Sequence, residues 1–256
     1  MVRGLELFKA HFKGHEDCFV LIGGTACDLA MDAVGEEFRA TKDLDIVLCV
    51  EHLTPDFVRA IWEFVRAGRY DNRQRSTGRR LFYRFFEPAV ETYPYMLELF
   101  SRLPDSLKFK GAGRLTPIPI DGKASSLSAI LMDDEYYKFL QHGTTMAEGL
   151  PVVRPEYLVP LKARAWLDLV RRRNGGEQVD SDDIRKHRND VFKLFLILDP
   201  GVIPRLSGQL ADDLGAFARA MLDERLDLKS LGYPKSRKQD ELIEQIKKSY
   251  GIFWGN

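Results

Sequence analysis

Two aspartates, Asp43 and Asp45, are the residues whose type and spacing most clearly permit chemistry. They open an apolar run, residues 43–50, that predicts a β-strand. Because side chains alternate between the two faces of a strand, both carboxylates project from the same face. Two carboxylates held side by side repel each other unless a cation lies between them, and hard oxygen ligands suit Mg²⁺ or Mn²⁺. The pair is therefore a candidate metal site; the alternative is an ordinary strand that starts with two solvated acids.

A Gly-Gly turn, Gly23 and Gly24, lies upstream of the acids and joins an apolar strand (18–22) to a predicted helix (25–33). Glycine tolerates turn conformations that other residues avoid. The bare backbone N–H groups at the start of a helix can receive a phosphate. The turn is therefore a candidate phosphate-binding element.

The sequence motif GGTA…RATKDLDI, which includes Arg39 and Thr41, resembles that of the nucleotidyltransferase superfamily of the polymerase-β type. It is most similar to the AbiEii-type nucleotidyltransferases, many of them toxins of toxin–antitoxin pairs. The resemblance implies a mixed β-sheet flanked by helices, a nucleoside triphosphate substrate, and a divalent metal ion held by the two aspartates. It also implies that the phosphates are contacted by Gly23, Gly24 and Thr25.

A third acid, Glu98, lies inside the apolar run MLELFSR. A lone buried carboxylate is costly unless it is paired or binds a metal. In many nucleotidyltransferases a third carboxylate lies on the strand beside the Asp-x-Asp strand, and the resemblance gives that place, as a metal ligand, to Glu98. The alternative is that Glu98 faces solvent on the polar side of an alternating strand.

Lys162 lies in the middle of an apolar helix face, since its neighbours at helical spacing are Leu158, Val159, Ala165, Trp166 and Leu169. A lysine in such surroundings needs an anion, and a nucleotide phosphate is a natural one. The alternative is a side chain that snorkels to solvent from the face of the helix.

A polar stripe on the next predicted helix, residues 182–198, consists of Asp183, Lys186, His187 and Asp190. AbiEii-type enzymes carry a lysine on one helix and an aspartate on a following helix, and Lys162 and Asp190 fit those catalytic roles. In this interpretation Lys186 or His187 contacts phosphate or base. The alternative is a set of ion pairs within the helix, Asp183 with Lys186 or His187.

Seven arginines lie between Arg66 and Arg84. Arginine binds phosphate through two parallel hydrogen bonds, so this segment is a candidate site for a triphosphate or an RNA backbone. The alternative is a solvated basic loop.

Periodicity and turn residues predict an α+β chain with a mainly helical C-terminal half, and the resemblance implies that the sheet of the first half is mixed. The predicted domains are a nucleotidyltransferase-like α/β domain over 1–152 and a helical domain over 153–256 that completes the active site. The predicted strands are 18–22, 43–50, 81–86, 95–100, 149–154 and a short one near 114–121. The predicted helices are 2–14, 25–33, 55–67, 133–141, 155–173, 182–198, 204–226 and 236–249.

Composition limits the class of protein. Lys+Arg and Asp+Glu both number 38, so the net charge is zero, which argues against a broadly basic coat for nucleic acid. No run of 18 apolar residues occurs, so no membrane span is expected. The three cysteines, Cys18, Cys27 and Cys49, lack metal-site spacing and are predicted to be buried fillers of a cytoplasmic protein.

The resemblance implies transfer of a nucleoside monophosphate from a nucleoside triphosphate to a hydroxyl group, with Mg²⁺ or Mn²⁺ as cofactor. RNA such as tRNA, a protein and a small molecule are all compatible acceptors, and a toxin would have an antitoxin protein as partner. The alternative is a catalytically silent nucleotide-binding or regulatory module of the same fold.

Overall fold

The computed structural model describes residues 2–72, 83–102, 115–117 and 128–253, with the backbone alone for 115–117 and 128–131. The chain divides into two compact units, Met1–Val153 and Arg154–Asn256. Predictions for residues 73–82, 103–114 and 118–127 lie outside the described residues, and these include most of the arginine-rich segment.

The first unit is built on a β-sheet in which the described residues contribute eight strands. The strand order is β5-β6-β4-β2-β1-β8-β7, and β3 also pairs with β4. The strands are β1 Phe19–Ile22, β2 Asp43–Leu48, β3 Arg84–Phe86, β4 Met96–Ser101, β5 Leu115–Pro117, β6 Ser128–Leu131, β7 Thr144–Ala147 and β8 Leu150–Val153.

The sheet is mixed. β1 runs antiparallel to β2 and parallel to β8, while β2, β4 and β6 run parallel to one another. The central strands carry near-continuous apolar runs, as expected where both faces of a sheet are covered. The predicted α+β class with a mixed sheet flanked by helices is confirmed.

The helices of the first unit are α1 Leu5–His11, α2 Gly23–Asp32, α3 Pro55–Gly68 and α4 Asp134–His142. An aromatic cluster joins α1 and α3 to the sheet. Phe8 on α1 meets Phe64 on α3 edge-to-face with 5.6 Å between ring centroids, and it meets Phe19 on β1 in the same way at 5.5 Å. Such edge-to-face pairs add to the stabilisation from area burial. The cluster fixes α1 and α3 against the strand that leads into the Gly-Gly turn.

Helix α3 extends one residue beyond the predicted range 55–67, to Gly68. Thr54 caps the start by accepting a hydrogen bond from the Phe57 N–H at 3.2 Å. The helix ends at Gly68, and the next residue, Arg69, has the left-handed φ of 53°. A Cβ on Gly68 would lie 2.6 Å from the Tyr70 ring and 2.7 Å from the Tyr93 ring. Glycine is needed there for close packing of two tyrosines.

Strand β7 was not predicted. It forms a hairpin with β8 in which Ala147 pairs with Leu150, so the loop has two residues, Glu148 and Gly149. Both have positive φ, 50° and 79°, as the type I′ turn of a two-residue hairpin requires. Its sequence, TTMA, has neither alternation of apolar and polar residues nor a continuous apolar run, so it carries no strand pattern.

The second unit is helical, as predicted, with α5 Pro155–Asn174, α6 Ser181–Leu196, α7 Gly208–Asp223 and α8 Gln239–Ser249. Two buried tyrosine hydroxyls form hydrogen bonds within this unit. Tyr233 donates to the backbone carbonyl of Phe192 at 2.7 Å, and Tyr250 donates to the backbone carbonyl of Glu156 at 2.8 Å. None of the described helices is long and apolar enough to cross a membrane.

Candidate active site

The two aspartates of β2 lie on the half-buried side of a strand whose other side is fully enclosed. Asp43 and Asp45 are both partly exposed, while Leu44 and Ile46 are 0% and 4% exposed. This alternation is the direct result of the two-residue period of a strand. Both carboxylates therefore project from one face of the sheet.

Pairing of the strands extends the acidic face sideways. Asp45 on β2 lies directly opposite Glu98 on β4, and Glu98 lies directly opposite Arg84 on β3. Residues in register on neighbouring strands point to the same face and have Cβ atoms about 5 Å apart. Arg84, Glu98 and Asp45 thus form one row across three strands, which we call the charged row, with Asp43 two residues from Asp45.

Glu98 is buried and paired. Its exposure is 9%, so the alternative in which it faces solvent is wrong. The Nε and Nη2 of Arg84 both contact the same oxygen, Oε1. Burial raises the pKa of the Glu98 carboxyl above its ordinary value; the positive charge of Arg84 opposes that rise, and the negative charge of Asp43 adds to it. Glu98 therefore lies within electrostatic reach of Asp43, on the strand where the third carboxylate was predicted.

The Gly-Gly turn is built around the side chains that approach it. Gly23 has the left-handed φ of 67°, and a Cβ on it would overlap the Asp45 carboxylate and lie 2.9 Å from the Asp45 Cβ. A Cβ on Gly24 would lie 2.9 Å from the Cβ of Thr41. Each glycine makes room for one particular side chain. The first residue of α2 is consequently in contact with Asp45.

Thr25 links this turn to β2. It is 0% exposed, and its hydroxyl donates a hydrogen bond to the backbone carbonyl of Asp43 at 3.0 Å. The hydroxyl is thus engaged within the fold, where it fixes α2 against the acidic strand. Contact of Thr25, Gly23 and Gly24 with phosphate stays a prediction.

Metal-binding capacity rests on the two aspartates. Across the part of the chain that the structure describes, no three His, Cys, Asp or Glu side chains are grouped so that they could hold a metal ion. Asp43 and Asp45 supply hard oxygen donors on one face, which fit Mg²⁺ or Mn²⁺. Since Glu98 is engaged by Arg84, its role as a third ligand stays a prediction.

The second unit contains a buried ion pair. Lys162 on α5 and Asp190 on α6 lie with Nζ and Oδ2 3.0 Å apart, and the two residues are only 4% and 1% exposed. The alternative in which Lys162 snorkels to solvent is wrong. The anion that its apolar surroundings demand is supplied by Asp190. Neutralisation of triphosphate charge by Lys162 stays a prediction.

Two members of the polar stripe of α6, Asp183 and Lys186, are exposed, whereas Asp190 is buried. The Nζ of Lys186 lies 3.0 Å from the Oδ1 of Asp183, and both side chains are about half exposed. This is the ion pair that the sequence offered as the alternative. His187 is half-buried on the same helix. Neither residue's predicted contact with phosphate or base is tested by these positions.

Arg84 is the residue of the site that sequence reasoning missed as an individual. It is the last arginine of the basic segment, and β3, on which it lies, has only three residues. The alternation in RFF and LEL could have placed Arg84 and Glu98 each on a face. Only the pairing of β3 with β4 brings them together.

Comparisons with known proteins give no family. No family model matches the chain, and no curated protein matches it. Among solved structures, the crystal structure of JHP933 from Helicobacter pylori shares 14% identity over 96% of this chain and 90% of that chain, with a TM-score of 0.44. A structure named "putative nucleotidyltransferase from H. pylori" shares 15% identity over 96% and 94%, with a TM-score of 0.30. At TM-scores below 0.5 neither likeness carries an argument.

Proposed function

We propose that this protein is a divalent-metal-dependent nucleotidyltransferase, which moves a nucleoside monophosphate from a nucleoside triphosphate to a hydroxyl acceptor. The observation that carries the proposal is the contact of Gly23 with Asp45. There, the start of a ten-residue helix, which favours an anion, meets a strand with two carboxylates, which favours a cation. A metal-bound triphosphate presents both charges.

In the proposed site, Asp43 and Asp45 hold Mg²⁺ or Mn²⁺. The ion, when bound, neutralises triphosphate charge and lowers the pKa of the acceptor hydroxyl. The backbone N–H groups of Gly23, Gly24 and Thr25 bind the phosphates. Alignment of the acceptor and stabilisation of charge on the α-phosphate then supply most of the rate.

The resemblance also assigns roles in the reaction to charged residues of the helical unit. Lys162 neutralises charge on the triphosphate, with Asp190 holding its ammonium group in place. The 3.0 Å contact between Nζ of Lys162 and Oδ2 of Asp190 supports an orienting role for Asp190, because it fixes the lysine side chain of α5 to a carboxylate of α6. Lys186 and His187 contact the nucleotide.

The acceptor is RNA such as tRNA, a protein or a small molecule, and the resemblance to AbiEii-type proteins adds a toxin role with an antitoxin protein as partner.

A second candidate function is a silent nucleotide-binding module of the same fold. Two observations favour it: Arg84 forms an ion pair with Glu98, and no three-residue metal group occurs among the described residues.

The decisive experiment is a labelling assay. The protein is incubated with Mg²⁺, each α-labelled nucleoside triphosphate in turn, and total RNA or cell extract. We expect label on an acceptor with the native protein and none with Asp43→Ala/Asp45→Ala. The matched control is Asp56→Ala/Asp240→Ala, which removes two acids from the first turns of α3 and α8 and should keep full activity.

The other outcomes separate the alternatives. Nucleotide binding without labelling, in the native protein, would favour the silent module. Absence of both would mean that the Gly-Gly turn and the paired aspartates do not form a nucleotide site. Undiminished labelling by a folded Asp43→Ala/Asp45→Ala protein would refute the assignment of the aspartates.

A further inference from the structure

The charged row contains a contact that the proposed reaction does not use. Arg84 bonds one oxygen of Glu98, Oε1, through both Nε and Nη2, which leaves Oε2 outside this ion pair. The pair joins residues directly opposite each other on β3 and β4. On the other side of Glu98, directly opposite on β2, is Asp45.

The ion pair between Arg84 and Glu98 balances the charge of a buried carboxylate. A carboxylate as buried as that of Glu98, whose side chain is 11% exposed, needs a positive partner. Its neighbours on β2, Asp45 in register and Asp43 nearby, carry the same negative sign. The guanidinium of Arg84 supplies that positive charge to the buried Glu98 carboxylate.

The two partners differ in freedom to move. The Arg84 side chain is 42% exposed, so its guanidinium can leave Glu98 for solvent without repacking the core. Glu98 is fixed on a strand paired on both edges. A divalent cation beside Asp43 and Asp45 would offer Glu98 a stronger positive charge on the side facing β2.

We propose that Arg84 competes with a divalent cation for the Glu98 carboxylate and so sets the metal affinity of the site. When the cation binds at Asp43 and Asp45, Glu98 exchanges the guanidinium for the metal and becomes the third ligand. The released Arg84 turns to solvent. This inference rests on the proposed function in one respect, the binding of a metal by the two aspartates.

The test is direct binding of Mn²⁺ to the 256-residue chain without nucleotide, measured from the electron paramagnetic resonance signal of free Mn²⁺. Arg84→Met keeps a long apolar side chain and removes the charge. We expect it to bind Mn²⁺ about tenfold more tightly than the native protein, because a nearby cation is removed and a carboxylate is freed. Equal or weaker binding would overturn the proposal.

Arg164→Met is the matched control. Arg164 is also 42% exposed and pairs at 2.8 Å with a buried carboxylate, that of Asp213, whose side chain is 9% exposed. The substitution thus breaks an ion pair of the same burial in the helical unit. We expect the Mn²⁺ affinity to stay unchanged, and a tenfold gain here as well would overturn the proposal.

A double-variant comparison assigns the effect to Glu98. Glu98→Gln should weaken Mn²⁺ binding, and the gain from Arg84→Met should fall below about threefold in that background. An undiminished gain would mean that Arg84 repels the metal without competing for Glu98. Should Arg84→Met fail to fold, Arg84→Lys takes its place: it keeps the charge, loses the two-point contact and should gain about two- to threefold.

Failure of this inference is distinguishable from failure of the proposed function. Native protein that binds Mn²⁺ through Asp43 and Asp45, with no response to Arg84→Met, would remove the competition alone. Native protein that binds no Mn²⁺, like Asp43→Ala/Asp45→Ala, would overturn the metal-dependent function together with it.

Discussion

Replacement of Lys162 by methionine should be among the most destabilising single changes in the helical unit. Its ammonium nitrogen lies 3.0 Å from the Asp190 carboxylate, and the two side chains are 5% and 1% exposed. Methionine has similar length and fills similar space, so the change removes the charge with little loss of packing. Asp190 is then left as a buried carboxylate without its 3.0 Å cation.

The magnitude follows from burial. Breaking a buried pair by removing one partner costs about 3–5 kcal/mol of unfolding free energy. Replacing both partners by apolar residues, Lys162→Met/Asp190→Leu, should cost much less, about 0–2 kcal/mol, because no buried charge remains. The double variant should therefore be more stable than Lys162→Met alone.

The chain offers a control with the same distance and different burial. The Lys186–Asp183 pair also has a nitrogen–oxygen separation of 3.0 Å, but its side chains are 48% and 51% exposed. Lys186→Met should cost about 0.5 kcal/mol or less, since solvent screens an exposed pair.

Urea unfolding followed by far-ultraviolet circular dichroism compares the four proteins. Equal losses of unfolding free energy for Lys162→Met and Lys186→Met would refute the reasoning from burial, as would a double variant less stable than Lys162→Met. The double variant also separates roles in the labelling assay. If it is folded but inactive, Lys162 and Asp190 serve the reaction and not the fold alone.

Two further predictions concern the glycine turn and a buried thiol. Gly23→Ala should lower the free energy of unfolding by about 1–3 kcal/mol more than Gly35→Ala does. Both glycines have positive φ, but a Cβ on Gly35 meets nothing within 4 Å, whereas a Cβ on Gly23 meets Asp45. Equal losses in urea unfolding would argue against the contact with Asp45. Burial raises the pKa of Cys49 from 9.0 to about 11, so the folded protein holds this proton more tightly than the unfolded chain does. The contribution of the Cys49 thiol to the free energy of unfolding is complete below pH 9 and is lost as the pH rises towards 11. The free energy of unfolding of Cys49→Ala should therefore depend less on pH in this range than that of the native protein. Parallel curves of unfolding free energy against pH for the two proteins would contradict the pKa shift.

Local periodicity was sufficient to place several site residues. The two-residue period of a strand puts Asp43 and Asp45 on one face whatever the strand pairs with. In the same way, the helical period puts Lys162 among apolar neighbours, which predicts its burial and its need for an anion. These properties depend on residues within a few positions of each other, so the sequence alone determined them.

Long-range pairing decided the rest. The partner of Glu98 is Arg84 because of the register in which β3 pairs with β4. Alternation within a strand fixes the face of each side chain, and registers that differ by two residues satisfy it equally. The reason for two successive glycines is likewise tertiary: the side chains of Asp45 and Thr41 fill the places of both Cβ atoms. The sequence showed which residues could do chemistry, and the packing of distant segments decided which charges they meet, because contact energies depend on distance and burial rather than on position along the chain.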